Sequence, residues 1–379
     1  MKIFLQFYKE EAYLYGDDIM VNFLNGLSHV WNQIKNEGEL VWRDVEDETP
    51  PPITEGSIYA SVWYTKSLIL LYRWAKEFPN LEIFICGPIV AYSNKLNIGN
   101  ELSNFHSTQE NAEDIFFNGA TSEWNLEVPK TDRAIGYSVS LTNGVGCYWG
   151  KCRFCSITGA LKYRNMDRVP VIENDNHKFI WIHTYSIPPN LIKKLYPTFE
   201  NRKDVSYATY SRGDKYTTNA LKETIPKLLV DPKYLGFNVG IEFPSNKILR
   251  YMNKGITVKE YLDFIKLTSE YNIRLHFNFI IGWKPTNIED VKNVEYFLNQ
   301  LSRISKANTI TAHIYSLYIR ENKDIMLDYT MNELEPIESD FKDFIGIPKL
   351  NDKEKILNNK IRSLYHSYPF MKIQEWNRW

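Results

Sequence analysis

The sequence predicts an α/β protein in two parts: a small doubly wound amino-terminal domain, then six strands with intervening helices closing as a curved sheet or partial barrel. Three observations predict it. Strand-like and helix-like runs alternate over the first 86 residues. Six further strand-like runs follow from Ile135 onward. Two of the helices between them open on capping sequences, Thr257-Val258-Lys259-Glu260 and Thr286-Asn287-Ile288-Glu289.

Residues 2–7 read as a strand. From Asp17 onward Met20, Val21, Phe23, Leu24, Leu27, Val30, Trp31 and Ile34 recur at helical spacing. An acidic connection, Glu46-Asp47-Glu48, runs into Pro50-Pro51-Pro52. Ser57–Trp63 is a second strand. Lys66–Phe78 is a helix with Leu68, Leu71, Tyr72 and Ala75 on one face. Leu81–Cys86 is a buried strand ended by Gly87-Pro88. No Gly-x-Gly-x-x-Gly and no phosphate loop accompany these elements, which argues against an ordinary dinucleotide or nucleotide site. Residues 94–132 are polar and irregular, with a helix start at Ser107-Thr108-Gln109-Glu110. The boundary falls near 125–133, giving domains 1–130 and 131–325 and a helical extension 326–379, whose Ile356, Ile361, Leu364 and Tyr365 form an apolar stripe. The strands of the second part are Ile135–Leu141, Phe179–His183, Val205–Tyr210, Phe237–Ile241, Arg274–Ile281 and Thr309–Leu317. In such parallel folds chemistry gathers at the carboxyl ends of the strands.

Composition narrows the function. The 379 residues carry a net charge of −1, which argues against nucleic acid and anionic membranes as partners. No run of 18 apolar residues is present, so no membrane span is expected. The apolar run after Met1 is too short for a signal peptide, and the expected compartment is the cytoplasm, where thiols stay reduced.

Three of the four cysteines stand within nine residues, Cys147, Cys152 and Cys155, spaced C-x4-C-x2-C on a glycine-bounded loop. Soft thiolates in such a set suit a soft metal or an iron–sulfur cluster. Structural zinc takes four ligands, usually as two separated pairs, and here only Cys86 remains. A disulfide scaffold does not fit four cysteines in a chain this long. Three thiolates on a cubane cluster leave one iron open to a substrate or cofactor.

The loop Gly146-Cys147-Tyr148-Trp149-Gly150-Lys151-Cys152-Arg153-Phe154-Cys155 resembles that of radical S-adenosylmethionine (SAM) enzymes, with one residue added between the first two cysteines. Its wording is similar to the branch with an amino-terminal cobalamin-binding-type, Rossmann-like domain, several of whose members modify ribosomally made peptides. Two further segments resemble the family in order: Gly240-Ile241-Glu242 with Ile248-Leu249-Arg250-Tyr251-Met252-Asn253-Lys254-Gly255, and Phe279-Ile280-Ile281-Gly282-Trp283-Lys284-Pro285-Thr286 with Glu289-Asp290.

The resemblance implies a partial (β/α)6 radical SAM barrel in which Cys147, Cys152 and Cys155 hold three irons of a 4Fe–4S cluster. The open iron would bind the amino and carboxylate groups of SAM. Reductive cleavage would then give methionine and a 5′-deoxyadenosyl radical that abstracts hydrogen from an unactivated C–H position. Glu242 resembles the family's acidic contact to SAM. Arg212 would pair with the SAM carboxylate, or with Asp214 as a structural ion pair. Ile280 and Gly282 match a segment whose backbone contacts adenine, although Asn278 and Pro285 depart from its pattern. Tyr315 and Leu317 would pack near the adenine or in the core. Tyr148, Trp149 and Phe154 would shield the loop.

The resemblance names cobalamin as a further cofactor, against a relic domain used for substrate docking. No Asp-x-His-x-x-Gly precedes residue 135, and His29 and His106 lie in other contexts. Cys86 reads as a small buried hydrophobe rather than a hydrogen-atom donor. Lys151, Arg153, Lys162, Arg164 and Arg168 read as a solvated basic face. The function implied is a radical SAM enzyme acting on a peptide by methylation, epimerisation or rearrangement, served by an external flavodoxin- or ferredoxin-type electron donor. The alternatives are an RNA-modifying radical SAM enzyme and a non-enzymatic metal-binding or scaffold protein.

Overall fold

The computed structural model describes residues 1–12, 19–23, 31, 37–62, 65–87, 101–108, 136–140, 147–155, 179–192, 205–228, 231–305, 310–320, 324–335, 344–368 and 371–376. The chain divides into two compact units, Met1–Val145 with Arg164–Thr184, and Gly146–Tyr163 with Tyr185–Trp379.

In the first unit the strands are β1 (Lys2–Ala12), β2 (Ile19–Phe23), β3 (Glu39–Asp44), β4 (Gly56–Ser61), β5 (Leu81–Cys86), β6 (Phe105–Ser107), β7 (Gly136–Ser140) and β8 (Phe179–His183). They run in the order β8-β7-β2-β1-β4-β5-β6, with β3 also against β1. The β1–β2 pair is antiparallel; the other pairs are parallel. Ile3, Leu5 and Phe7 alternate onto one face, where Ile58, Ala60, Ile83 and Ile85 join Leu68, Leu71, Trp74 and Ala75 of helix α1 (Thr65–Glu77) in a core. On the opposite face Phe4, Tyr59, Phe84 and His106 stack strand to strand, with ring centroids 5.4, 4.9 and 4.6 Å apart.

Two expectations change here. Met20, Val21 and Phe23 lie in a strand, not a helix. The long β1 offers its upper half as a partner, and Tyr8↔Phe23 through Ala12↔Ile19 pair antiparallel. Trp31 is helical, while Leu24, Leu27, Val30 and Ile34 lie outside the described residues. Ser107 closes β6 instead of capping a helix, and Gln109 and Glu110 lie outside the described residues.

The second unit holds β9 (Ser206–Ser211), α2 (Lys215–Thr224), β10 (Leu235–Glu242), α3 (Asn246–Tyr251), α4 (Val258–Glu270), β11 (Arg274–Ile281), α5 (Ile288–Ile304) and β12 (Ile310–Ser316). After these come β13 (Ile319–Arg320), β14 (Leu334–Glu335), β15 (Phe344–Pro348), α6 (Asp352–His366) and β16 (Met371–Trp376). Strands β9, β10, β11, β12 and β16 are parallel neighbours in that order. Strands β13, β15 and β14 form a small antiparallel sheet. The six expected strands are present, β7 and β8 in the first unit and β9 to β12 in the second. The segment after residue 325 contributes the expected helix, α6, and also β14, β15 and β16, whose short runs carry little periodic signal.

The Thr257–Glu260 capping box forms as the sequence predicts. The cap of α5 lies one residue later than expected. Asn287 accepts from the Glu289 and Asp290 amides, and Asp290 closes the box in place of Glu289. Asp290 also accepts from Ser245 Oγ at 2.6 Å and is 1% exposed, so the core selects it over its solvated neighbour.

Strands β10 to β12 have two unlike faces. On one, Phe237 packs edge-on against Phe264 of α4, and Phe279 stacks on Tyr365 of α6. The other is polar and largely buried, Asn238, His276 and His313 fully so. Asn238, His276 and Thr311 share one rung, and Asn278 and His313 the next. Asn278 donates to Asn238 at 2.5 Å, His276 Nδ1 meets Thr311 Oγ1 at 2.7 Å, and His313 Nδ1 meets the Tyr315 hydroxyl at 2.9 Å. Burial, with His313 beside it, pushes the His276 pKa down to about 3, so the imidazole is neutral. A parallel sheet packed only by helices is apolar on both faces. A polar face leading to the carboxyl ends of its strands is the departure that positions a site.

Candidate functional site

Each residue singled out in the second unit stands at or just beyond the carboxyl end of a parallel strand, or on the cysteine loop. Arg212 follows β9, Glu242 ends β10, Gly282 follows β11 and Tyr315 lies one residue before the end of β12. Glu242 sits on a register shift against β11 and has φ 60°, a left-handed conformation unusual for a residue with a side chain. Its Oε1 pairs with Lys254 Nζ at 2.7 Å, both side chains being largely buried. Burial is the largest influence and works against the Lys254 charge, but the Glu242 carboxylate, Tyr261 and Cys152 together outweigh it and hold the lysine above its usual range.

The cysteine loop is locked to the segment after α3. Trp149 Nε1 donates to Asn253 O at 2.8 Å, Asn253 Nδ2 to Lys151 O at 2.9 Å and Arg153 N to Met252 O at 3.0 Å. Gly255 has φ 65°, and a Cβ there would lie 2.0 Å from the Trp149 ring, so only glycine lets the indole lie flat. Trp149 also lies under the Arg212 guanidinium, 5.0 Å from its ring centroid. Tyr148 donates to Asp214 Oδ2 at 2.7 Å. The other Asp214 oxygen caps α2 by accepting from the Thr217 amide at 2.9 Å. Arg212 Nε reaches Asp214 Oδ2 at 3.3 Å, and its Nη2 donates to the Lys254 carbonyl. The ion pair with Asp214 therefore forms, and the same guanidinium braces the loop's aromatic residues.

Cys152 is buried; Cys147 and Cys155 are partly exposed. Burial raises the Cys152 thiol to about 11 even against the opposing pull of Lys254 and Arg212. Two cations beside a buried thiol suit a ligand that is bound as thiolate. Among the described residues no three His, Cys, Asp or Glu side chains converge as around a single metal ion. A cubane makes no such demand, because each thiolate holds a separate iron.

The segment expected to meet adenine, around Ile280 and Gly282, is engaged within the protein. Trp283 Nε1 donates to Ile280 O at 2.7 Å, and Gly282 N to Asn358 Oδ1 at 3.2 Å. Leu317 is buried and its amide donates to Ile281 O at 2.8 Å. Tyr315 is held by His313, and burial, with Tyr210 and Glu242 nearby, keeps its hydroxyl protonated. Phe154 packs edge-on against Trp283 at 5.3 Å. Of the basic face, Lys162, Arg164 and Arg168 lie outside the described residues. Lys151 is exposed over Trp149. Arg153 is not solvated as expected: it is ion-paired to Asp328 at 3.0 Å, because the following strand connection folds back onto the loop. Cys86 is buried, its Sγ 3.7 Å from Ala60 O.

Sequence reasoning gave no role to Lys254 or the polar face of β10 to β12, and saw Asp214 only as a partner for Arg212. Lys254 lies within the second family-like segment. The polar face shows in the sequence as alternation, Phe237-Asn238-Val239 and His276-Phe277-Asn278.

The buried ion pair yields a stability prediction. Glu242→Gln leaves the Lys254 charge buried without its carboxylate and lowers unfolding free energy by about 3 kcal/mol. Urea denaturation measures it, and the double variant Glu242→Gln/Lys254→Met recovers most of the loss. An unchanged midpoint in the single variant would contradict the pairing.

No protein-family model matches the chain, and no curated protein matches it significantly. Solved structures do. The chain is similar to the cobalamin-dependent SAM radical enzyme OxsB with aqua-cobalamin bound, at TM-score 0.59 and 12% identity, covering 96% of this chain and 66% of that one. It is similar to the radical SAM methyltransferase TsrM from Kitasatospora setae with cobalamin and a [4Fe–4S] cluster, at TM-score 0.54 and 9% identity, covering 95% and 84%. With tryptophan substrate and aza-SAM bound, TsrM matches at TM-score 0.55 and 10% identity, covering 95% and 83%. The chain thus spans slightly less than two thirds of OxsB and has the fold of these cobalamin-dependent radical SAM enzymes.

Proposed function

We propose that this chain is a radical SAM enzyme in which Cys147, Cys152 and Cys155 hold a 4Fe–4S cluster. The observation that carries the reading is the lock between the three-thiol loop and residues 251–255, which sets the loop beside buried Glu242, Lys254 and Arg212. Held by these three thiolates, a 4Fe–4S cluster would supply the single electron that cleaves the sulfonium of SAM. Arg212 and Lys254 oppose the burial that holds Cys152 as a thiol, and so ease its deprotonation when iron binds. Glu242, at a strand end with its charge balanced by Lys254, is the carboxylate suited to the SAM ammonium. Tyr148, Trp149 and Phe154 keep water from the loop.

The acceptor is read as a peptide, on the wording of the cysteine loop and a net charge too small to favour RNA. Of methylation, epimerisation and rearrangement, methylation is favoured by the likeness to TsrM, a methyltransferase. The electron comes from a flavodoxin- or ferredoxin-type donor. In the first unit His106 is tied to Glu82 at 2.6 Å and stacked on Phe84, so its imidazole is already engaged. It does hold buried Gln6 Oε1 and Ser67 Oγ without a partner among the described residues, polar atoms that a bound group could satisfy. The unit is read as binding cobalamin without the His106 imidazole on cobalt.

Anaerobic reconstitution with iron, sulfide and hydroxocobalamin, followed by gel filtration and reduction with SAM, tests the reading. The protein is expected to elute with a corrin spectrum and to form methionine and 5′-deoxyadenosine. Elution without the corrin would remove the cobalamin assignment. Absence of both nucleoside and methionine from iron-loaded protein would remove the radical SAM assignment.

A further inference from the structure

The segment after β13 is clasped onto the cysteine loop through one residue. Asp324–Asp328 forms a short 3-10 turn, and the Ile325 amide donates to the Arg153 carbonyl at 3.3 Å. Arg153 directly follows Cys152. Its Nη2 donates to Asp328 Oδ1 at 3.0 Å and to the Asp324 carbonyl at 3.2 Å, and its Nη1 to the Tyr251 carbonyl at 3.3 Å. The guanidinium also lies over the Tyr251 ring at 5.1 Å. Tyr251 in turn donates its hydroxyl to Asp328 Oδ2 at 2.5 Å. Lys284 reaches the Asp328 carbonyl at 2.6 Å but spends its charge on Glu333 at 2.8 Å. One carboxylate therefore receives both Arg153 and Tyr251, and the pair is only about a quarter exposed.

We infer that Asp328 is a positioning residue for the cluster: it fixes Arg153 and neutralises the guanidinium beside the cysteine ligands. This rests on the reading of the loop as a cluster site. A cluster on three thiolates is anionic, and its potential follows the net charge and hydrogen bonding around it. An uncompensated cation next to Cys152 stabilises the reduced state and moves the potential positive. The arrangement therefore keeps the cluster strongly reducing while using an arginine, whose fork can brace three partners at once, to hold the loop.

The test is an EPR-monitored redox titration of reconstituted full-length protein. Asp328→Asn is isosteric and keeps hydrogen bonding to Arg153 and Tyr251. It is expected to bind iron as the parent does, with its midpoint potential shifted positive. Arg153→Met/Asp328→Asn removes both charges and is expected to return the potential to the parent value. Iron loss to a chelator is expected to quicken in Asp328→Ala and to be restored in Asp328→Glu. A cluster-bearing Asp328→Asn protein with the parent potential would overturn the inference, as would a double variant shifted as far as the single one. Failure of the parent protein to bind iron would instead defeat the cluster reading itself.

Discussion

Replacing Cys147, Cys152 or Cys155 by alanine is expected to remove both iron and SAM cleavage, each substitution acting alone. The parent should carry about four irons per chain, and each variant close to none. The size of the effect follows from the ligand count. A cubane with three protein thiolates has none to spare, and Cys86 is buried at the end of β5, its Sγ against Ala60 O. Cys86→Ala is accordingly expected to keep iron and activity. Iron analysis and 5′-deoxyadenosine formation, read on the four variants side by side, check the assignment. Turnover retained in any of the first three would contradict it.

The second large effect is expected at a residue that carries no chemistry. Gly255→Ala places a methyl group 2.0 Å from the Trp149 ring and forces a side chain onto φ 65°. The clash is with a rigid indole that is hydrogen-bonded to Asn253 and lies under Arg212, so it cannot be relieved by a rotamer change. Left-handed strain and overpacking together cost about 3 kcal/mol. The loss falls on the lock that holds the cysteine loop, so iron should leave faster as well as the protein unfolding earlier. Chelator-driven iron release and thermal unfolding measure the two. Trp149→Ala/Gly255→Ala relieves the clash and is expected to unfold later than Gly255→Ala. A single variant with the parent's iron retention would show that the loop does not depend on this contact.

Much of the second unit was legible because its signals are local. Leu81–Cys86 and Phe179–His183 in the first unit, and Arg274–Ile281 in the second, have the bounds their apolar runs suggest, and the Thr257–Glu260 box needs no tertiary context. Ile19–Phe23 was misread because a short amphipathic run takes its conformation from its partner, here the long β1. The cap of α5 moved from Glu289 to Asp290 because Ser245, 45 residues away in sequence, rewards the buried carboxylate. In the site, the cysteines announce themselves by type and spacing. Lys254 and Asp328 do not, because each works through a partner brought to it only by folding. Nothing in the local sequence pairs Arg153 with an aspartate 175 residues later.

The central claim is that a three-thiol loop leaves one iron open to the amino acid end of SAM. EPR of the anaerobically reduced protein, recorded with and without SAM carrying 15N and 17O in its methionine portion, tests it most directly. The account predicts a 4Fe–4S signal that changes on adding SAM and shows hyperfine coupling to both labels. A colourless, zinc-bearing protein, or a cluster signal indifferent to SAM, would contradict it.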